Sequence, residues 1–296
     1  MEVRANEPEK TGFFIVGAAK AGTSALHYLL SMHPEVTMSS VKEPNYFSWD
    51  LIEQQQLYYD APQVRSDNAY VALFQGKEGG LRGEASVSYL FYPEVASRLY
   101  DYNPKAKIII ILREPIARAQ SHYGMDRALG LIDTSLAEVW NNGAEHPKTG
   151  LHFQQYFVLG RYSDQIERYL NVFPKKQVMV LLHKDLREDR KQTIDRLLEF
   201  LNLGPYPELP AEEEVNTGMT ARNVLVAKLY TSKPFRILLK RILGNRLGRA
   251  VKKVFFTREQ VNSTPYALMN LWSQYYLQDI KRLEQIIGRK LDAWKR

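Results

Sequence analysis

Apolar positions in this chain come in short unbroken runs separated by stretches with helical spacing. The plainest run is Lys107-Ile108-Ile109-Ile110-Ile111-Leu112. Consecutive β-branched residues without alternation predict a strand buried on both faces, as in a parallel sheet. Phe13-Phe14-Ile15-Val16 predicts a second such strand, and Val36-Thr37-Met38, Gly83 to Tyr89 and Gln177 to Leu182 predict shorter ones, the Gly83 run passing into a loop. Helical spacing covers 22–32, 93–100, Pro115 towards Leu129, 162–173, 191–201 and 266–287. His33-Pro34-Glu35 stops the first helix, and Pro115 stands in the first turn of another. Asn141 to Gly150 reads as an exposed loop, and Gly204 to Pro210 breaks the alternation. Strands alternating with helices predict an α/β fold, a doubly wound parallel sheet flanked by helices, with ligands at the carboxyl ends of strands. One domain is expected over 1–296: a polar tail at 1–10, an α/β core at 11–203 and a helical C-terminal region at 211–296 packed on that core.

Between the first strand and first helix lies Gly17-Ala18-Ala19-Lys20-Ala21-Gly22-Thr23-Ser24. A strand, a glycine-bounded turn and a helix start aim backbone N–H groups at one point, where the helix terminus adds partial positive charge. That is an anion site. It is P-loop-like, since Gly17, Gly22 and Ser24 keep the P-loop spacing, but Thr23 stands where that motif has lysine and the lysine has moved to Lys20. A tight turn with a solvated lysine is the alternative reading. The best buried strand ends at Arg113 rather than at an Asp for Mg²⁺, and Ser121 follows on the next helix. Both can grip one phosphate, the arginine through its bidentate fork, while Arg113 alone reads equally as a surface ion pair. The histidines show no metal-ligand spacing and no metal is expected; His122 reads as packing.

Composition narrows the choice. With no cysteine, disulfides, thiolate metal sites and a cysteine nucleophile are excluded. A polar first ten residues and the lack of any membrane-length apolar run predict a cytoplasmic protein without a transmembrane segment. Net charge is +7, yet Val215 to Arg258 carries eleven Lys/Arg and no acid, leaving −4 for the remainder. Within it, residues 233–256 mix Phe235, Leu238 and Ile242 with bases, a pattern open to peripheral membrane contact or to packing with basic edges.

Taken together, the two phosphate motifs resemble those of the sulfotransferases that use 3′-phosphoadenosine 5′-phosphosulfate (PAPS), in the branch of the heparan sulfate enzymes and their bacterial relatives. Gly17 to Leu26 looks like that family's 5′-phosphosulfate loop, and Ile110-Ile111-Leu112-Arg113-Glu114-Pro115 with Ser121-His122-Tyr123 looks like its 3′-phosphate motif. The resemblance implies that Lys20 contacts the sulfuryl group and bridging oxygen, that Ala21, Gly22, Thr23 and Ser24 bind the 5′-phosphate, and that Arg113 and Ser121 hold the 3′-phosphate. Glu43, in Lys42-Glu43-Pro44-Asn45-Tyr46-Phe47, falls where those enzymes have a glutamate base, with burial beside aromatics expected to tune it; Glu84 is the reserve. Two positions depart from the family pattern. Ala85 stands where a lysine is usual after Glu84, and a later Lys-Gly loop over the nucleotide is replaced by Asn216 to Arg222, with Arg222 as its substitute.

The implied reaction is in-line sulfuryl transfer from PAPS, without a metal, to a hydroxyl or amine of a carbohydrate or small molecule. The alternatives are a P-loop small-molecule kinase, which needs ATP–Mg²⁺, and a non-enzymatic binder of an acidic polymer or membrane through 215–258. No nucleic-acid partner is expected; acceptor and oligomeric state stay open.

Overall fold

Buried apolar runs dictate the sheet. The computed structural model describes residues 10–59, 62, 64–74, 79–143, 147–206, 208–210, 219–221, 256–258 and 266–295. Five strands, β1 Phe13–Gly17, β2 Val36–Met38, β3 Leu81–Ala85, β4 Lys107–Leu112 and β5 Val178–Leu182, pair in parallel in the order β2-β3-β1-β4-β5. β1 and β4 lack alternation because both faces are covered: Phe13 to Val16 and Ile108 to Leu112 are fully buried. Phe13 lies opposite Gly83 on one side and Lys107 on the other. The chain builds to one side of β1 and then to the other, so the switch in strand order falls beside β1, where open α/β sheets bind ligands.

Among the described residues the α-helices are α1 Thr23–Ser31, α2 Trp49–Gln54, α3 Asp67–Val71, α4 Val95–Tyr102, α5 Pro115–Ala128, α6 Leu136–Asn142, α7 Pro147–Tyr156, α8 Ser163–Val172, α9 His183–Glu188, α10 Arg190–Leu201 and α11 Tyr266–Ile287. Two compact units divide the chain: 1–114 with 161–213 and 278–291, and 115–160 with 214–277 and 292–296. In the first, Asp279 near the end of α11 accepts from the Tyr162 and Ser163 amides at 2.8 and 3.2 Å, capping α8. This ties the C-terminal half of α11 to the start of α8.

In the second unit, buried Arg118 on α5 donates to the carbonyls of Gln155, at 2.9 Å, and Tyr156 on α7. The expected loop at 141–150 is corrected here, since Asn141 and Asn142 end α6 and residues 147–150 begin α7. The physical reason is a capping box, in which Ser135 and Glu138 satisfy each other's backbone amides and start α6. In the C-terminal region β6 Met219–Ala221 also pairs antiparallel with β7 Phe256–Arg258. Among the described residues no helix is long and apolar enough to cross a membrane.

Two glycines test this architecture. A Cβ on Gly83 would fall inside the buried Phe13 ring, whereas one on Gly124, within α5, meets nothing within 4 Å. Gly83→Ala is expected to cost about 1–3 kcal/mol in urea unfolding. Gly124→Ala is expected to stabilise by about 0.5–1 kcal/mol, because alanine restricts the unfolded chain and suits a helix.

Candidate active site

At the end of β1 the chain peels away from the sheet. The Ala18 amide donates to the Ile111 carbonyl at 2.7 Å, and Ala21 closes a turn onto Ala18 at 3.2 Å. Lys20 and Gly22 then adopt left-handed backbone, with φ of 65° and 104°. Gly22 is the N-cap of α1, and its carbonyl takes the amides of both Ala25 and Leu26, at 3.1 and 3.2 Å. The amides of Gly22, Thr23 and Ser24 make no backbone hydrogen bond among the described residues. They form the positive end of the α1 dipole, with Lys20 in the preceding turn.

Two further strand ends close on this turn. Arg113, directly after β4, donates through Nη1 to the Lys20 carbonyl at 3.2 Å, while its own carbonyl accepts from the Tyr162 hydroxyl at 2.9 Å. His183, directly after β5, lies so near that a Cβ on Gly22 would stand 3.1 Å from its Cδ2. Burial first, then the positive charges of Arg113 and Arg187, push the His183 imidazole down to about 4, so it is neutral at pH 7. The result is a cradle with two cations, a row of helix amides and an uncharged wall. It suits a ligand with more than one anionic group, and the residue closing β4 is a cation where a magnesium site would want a carboxylate.

The carboxyl end of β3 supports the loop carrying Glu43. Glu43 and Asn45 are both left-handed, with φ of 61° and 53°, a conformation that costs non-glycine residues of order 1–3 kcal/mol each. Several hydrogen bonds hold them there. The Glu43 amide donates to the Ala85 carbonyl at 2.8 Å, Asn45 Nδ2 to the Glu43 carbonyl at 2.9 Å, and the Ser88 hydroxyl to Asn45 Oδ1 at 2.6 Å. The Asn45 amide reaches Ser86 Oγ at 3.0 Å and the Phe47 amide reaches the Tyr89 hydroxyl at 3.2 Å.

Glu43 itself is not buried among aromatics, contrary to the expectation from sequence. Its side chain is 38% exposed and pairs with the Lys42 ammonium, while Tyr46 stacks on Tyr70 at 4.4 Å between ring centres and Phe47 packs against Phe14. The reason is the left-handed turn at Glu43, which separates its side chain from the rings that follow. His27 on α1 faces this ion pair; burial and Lys42 push its imidazole down, and its Nε2 is buried without a hydrogen-bond partner among the described residues.

Glu84, the reserve base, is fully buried and accepts from Ser86 at 2.5 Å, Tyr70 at 2.9 Å and Tyr89 at 3.1 Å. Burial pushes its carboxyl up to about 7 against the opposing effect of those hydroxyls. Its carboxylate is thus walled in by three hydroxyls. Ser121 lies on α5 in the second unit, and Arg222 falls outside the described residues. His122 is buried, with Nδ1 3.1 Å from the Gln155 carbonyl, in the packing role expected of it. Sequence reasoning passed over His183, although the strand-end rule that singled out Arg113 applies to it equally.

A family model described as sulfotransferase domain matches residues 10–218. The bifunctional heparan sulfate N-deacetylase/N-sulfotransferase 2 of Homo sapiens is 29% identical over 201 residues, covering 66% of this chain and 22% of that protein. Carbohydrate sulfotransferase 15 of Mus musculus is 25% identical, covering 80% of this chain and 51% of its own length. The chain therefore spans from about a fifth to about half the length of these curated relatives. Among solved structures, a sulfotransferase from Alicyclobacillus acidocaldarius is 30% identical with a TM-score of 0.68, covering 97% of this chain and 100% of that one. A sulfotransferase domain from the curacin biosynthetic pathway shares the fold, at 17% identity and a TM-score of 0.51 over 96% of this chain and 100% of its own. With the family match extending over more than half of its residues, the chain belongs to the sulfotransferase-domain family.

Proposed function

We propose that this chain transfers the sulfuryl group of PAPS to a hydroxyl or amine of a carbohydrate or small-molecule acceptor. The observation that carries this reading is the cradle at the end of β1, where Arg113 is hydrogen-bonded to the carbonyl of Lys20 beside the first-turn amides of α1. Two cations and those amides fit a nucleotide with separate anionic groups. The match across 10–218 supports the two units working as one domain.

In this reading the acceptor oxygen or nitrogen forms a bond to sulfur as the sulfur–oxygen bond to the 5′-phosphate breaks, and the acceptor's proton passes to Glu43. Lys20 offsets the charge that grows on the bridging oxygen, and Ala21, Gly22, Thr23 and Ser24 hold the 5′-phosphate. Arg113 takes the 3′-phosphate. Ser121 and Arg222 join it on the strength of the motif and its position. No metal is needed by a step whose charge is met by lysine, arginine and backbone amides. The relatives named for heparan sulfate and carbohydrate sulfotransfer make a glycan the first acceptor to try. Absence of cysteine accords with a cytoplasmic setting.

Calorimetric titration with adenosine 3′,5′-bisphosphate, AMP and ATP–Mg²⁺ tests the nucleotide. Bisphosphate is expected to bind well ahead of AMP; preference for ATP–Mg²⁺ would overturn the reading in favour of a kinase. With radiolabelled PAPS and de-N-sulfated heparan sulfate or chondroitin as acceptors, Lys20→Ala is expected to lower transfer on the order of 10²–10³-fold. Gly22→Ala forces a side chain into left-handed backbone and against His183, and is expected to weaken bisphosphate binding at least about tenfold. Unchanged affinity in that variant would remove the α1 terminus from the site.

A further inference from the structure

We propose that Glu84 is the positioning residue for the loop carrying Glu43, acting through two hydroxyls that it orients. This rests on the reading of Glu43 as the base. A hydroxyl has one hydrogen and two lone pairs. Ser86 spends its hydrogen on Glu84 at 2.5 Å, and its oxygen accepts from the Asn45 amide at 3.0 Å. Tyr89 does the same, donating to Glu84 at 3.1 Å and accepting from the Phe47 amide at 3.2 Å. The carboxylate thus turns both hydroxyls into fixed acceptors on either side of Tyr46, and the left-handed residues Glu43 and Asn45 are held from that side. A third hydroxyl, from Tyr70, braces the same carboxylate at 2.9 Å and is itself 3.0 Å from Thr11 Oγ1.

Only the ionised carboxylate accepts from all three. A protonated Glu84 brings its own hydrogen into a ring of donors, so one hydroxyl has to turn and release its partner. The sign follows from the carboxyl being pushed up to about 7 by burial: it is ionised above that pH, and the loop loosens as pH falls through it. The groups facing Glu84 are Tyr70 on α3, Tyr89 after β3 and Tyr169 on α8, with Tyr102 on α4 behind Tyr70. Burial pushes Tyr70, Tyr89 and Tyr169 further up, so they stay neutral throughout. On the loop's other side stand Lys42, Glu43 and His27, and His27 is pushed down from its ordinary value, so its step falls below that of Glu84.

Hydrogen exchange on the full chain, corrected for intrinsic rates between about pH 5.5 and 8.5, reads the loop without an acceptor. Protection of the Asn45 amide, the Phe47 amide or both is expected to fall about tenfold for each pH unit below 7 in the wild type. In Glu84→Gln it is expected to be low and independent of pH, while β4 amides are unaltered. Should that variant not fold, Ser86→Ala is expected to release Asn45 alone, leaving Phe47 protected. Wild-type protection that is flat with pH, wild-type protection in Glu84→Gln, or a protected Asn45 in Ser86→Ala would each overturn the proposal. Calorimetry separates the two readings. Bisphosphate affinity within about twofold of wild type in Glu84→Gln is expected, since Glu84 lies outside the cradle. If the wild type bound no bisphosphate but showed the expected exchange, the sulfotransferase reading would fall and the Glu84 hub would stand.

Discussion

β1 has both its edges hydrogen-bonded, to β3 and β4, and both its faces covered, so it has no freedom to slide or tilt. A one-residue slip would move every side chain to the opposite face. The position at which the chain leaves the sheet is thereby set to within one residue, and the turn that follows has to bring a helix back over the sheet in a few residues. Left-handed Lys20 and Gly22 make that reversal, and the first turn of α1 starts directly after it with its amides outside the helix's own hydrogen bonding. Charge in the cradle is therefore largely a property of backbone packed on a rigid strand. Such preorganised dipoles need not rearrange when an anion arrives, which is where their catalytic value lies.

The same sheet separates two chemistries. The ends of β1, β4 and β5 supply Lys20, Arg113 and a histidine kept neutral by burial first and then by its arginine neighbours, a surface suited to anions. The end of β3 supplies hydroxyls and a buried carboxylate and supports a loop with a second carboxylate at its surface. Glu43 and Glu84 differ by environment alone. One is exposed and paired with a neighbouring lysine, an interaction worth little in water and readily exchanged for a substrate. The other has three hydroxyls and no access, which suits it to hold structure in place and unfits it for proton transfer.

Legibility in the sequence followed sequence distance. β1 and β4 were readable because burial on both faces leaves an unbroken apolar run, and α11 because its 22 residues keep helical spacing from Tyr266 to Ile287. α6 and α7 were lost in a polar stretch whose helical start depends on the Ser135–Glu138 box rather than on periodicity. α9 went unseen because it begins at the residue after β5 with no turn signal between them. For the candidate site, the turn between β1 and α1 lies within residues 17–24, so a local motif marks it. The loop carrying Glu43 is assembled from contacts such as Asn45 with Ser86, 41 residues apart, which no pattern along the chain reports.

The loop carrying Glu43 depends on such distant contacts throughout. Two left-handed residues in succession around Pro44 are unfavourable locally, so Lys42 to Phe47 would not hold this shape as a free peptide. Its conformation is over-determined by Ala85, Ser86, Ser88 and Tyr89, all contributed by β3 and the turn after it. Since β3 is paired directly with β1, the loop bearing Glu43 and the loop bearing Lys20 are fixed to adjacent strands of one sheet. Glu43 and Lys20 are then registered to each other by strand pairing, and a rigid scaffold of this kind is what the proposed transfer between two bound molecules requires.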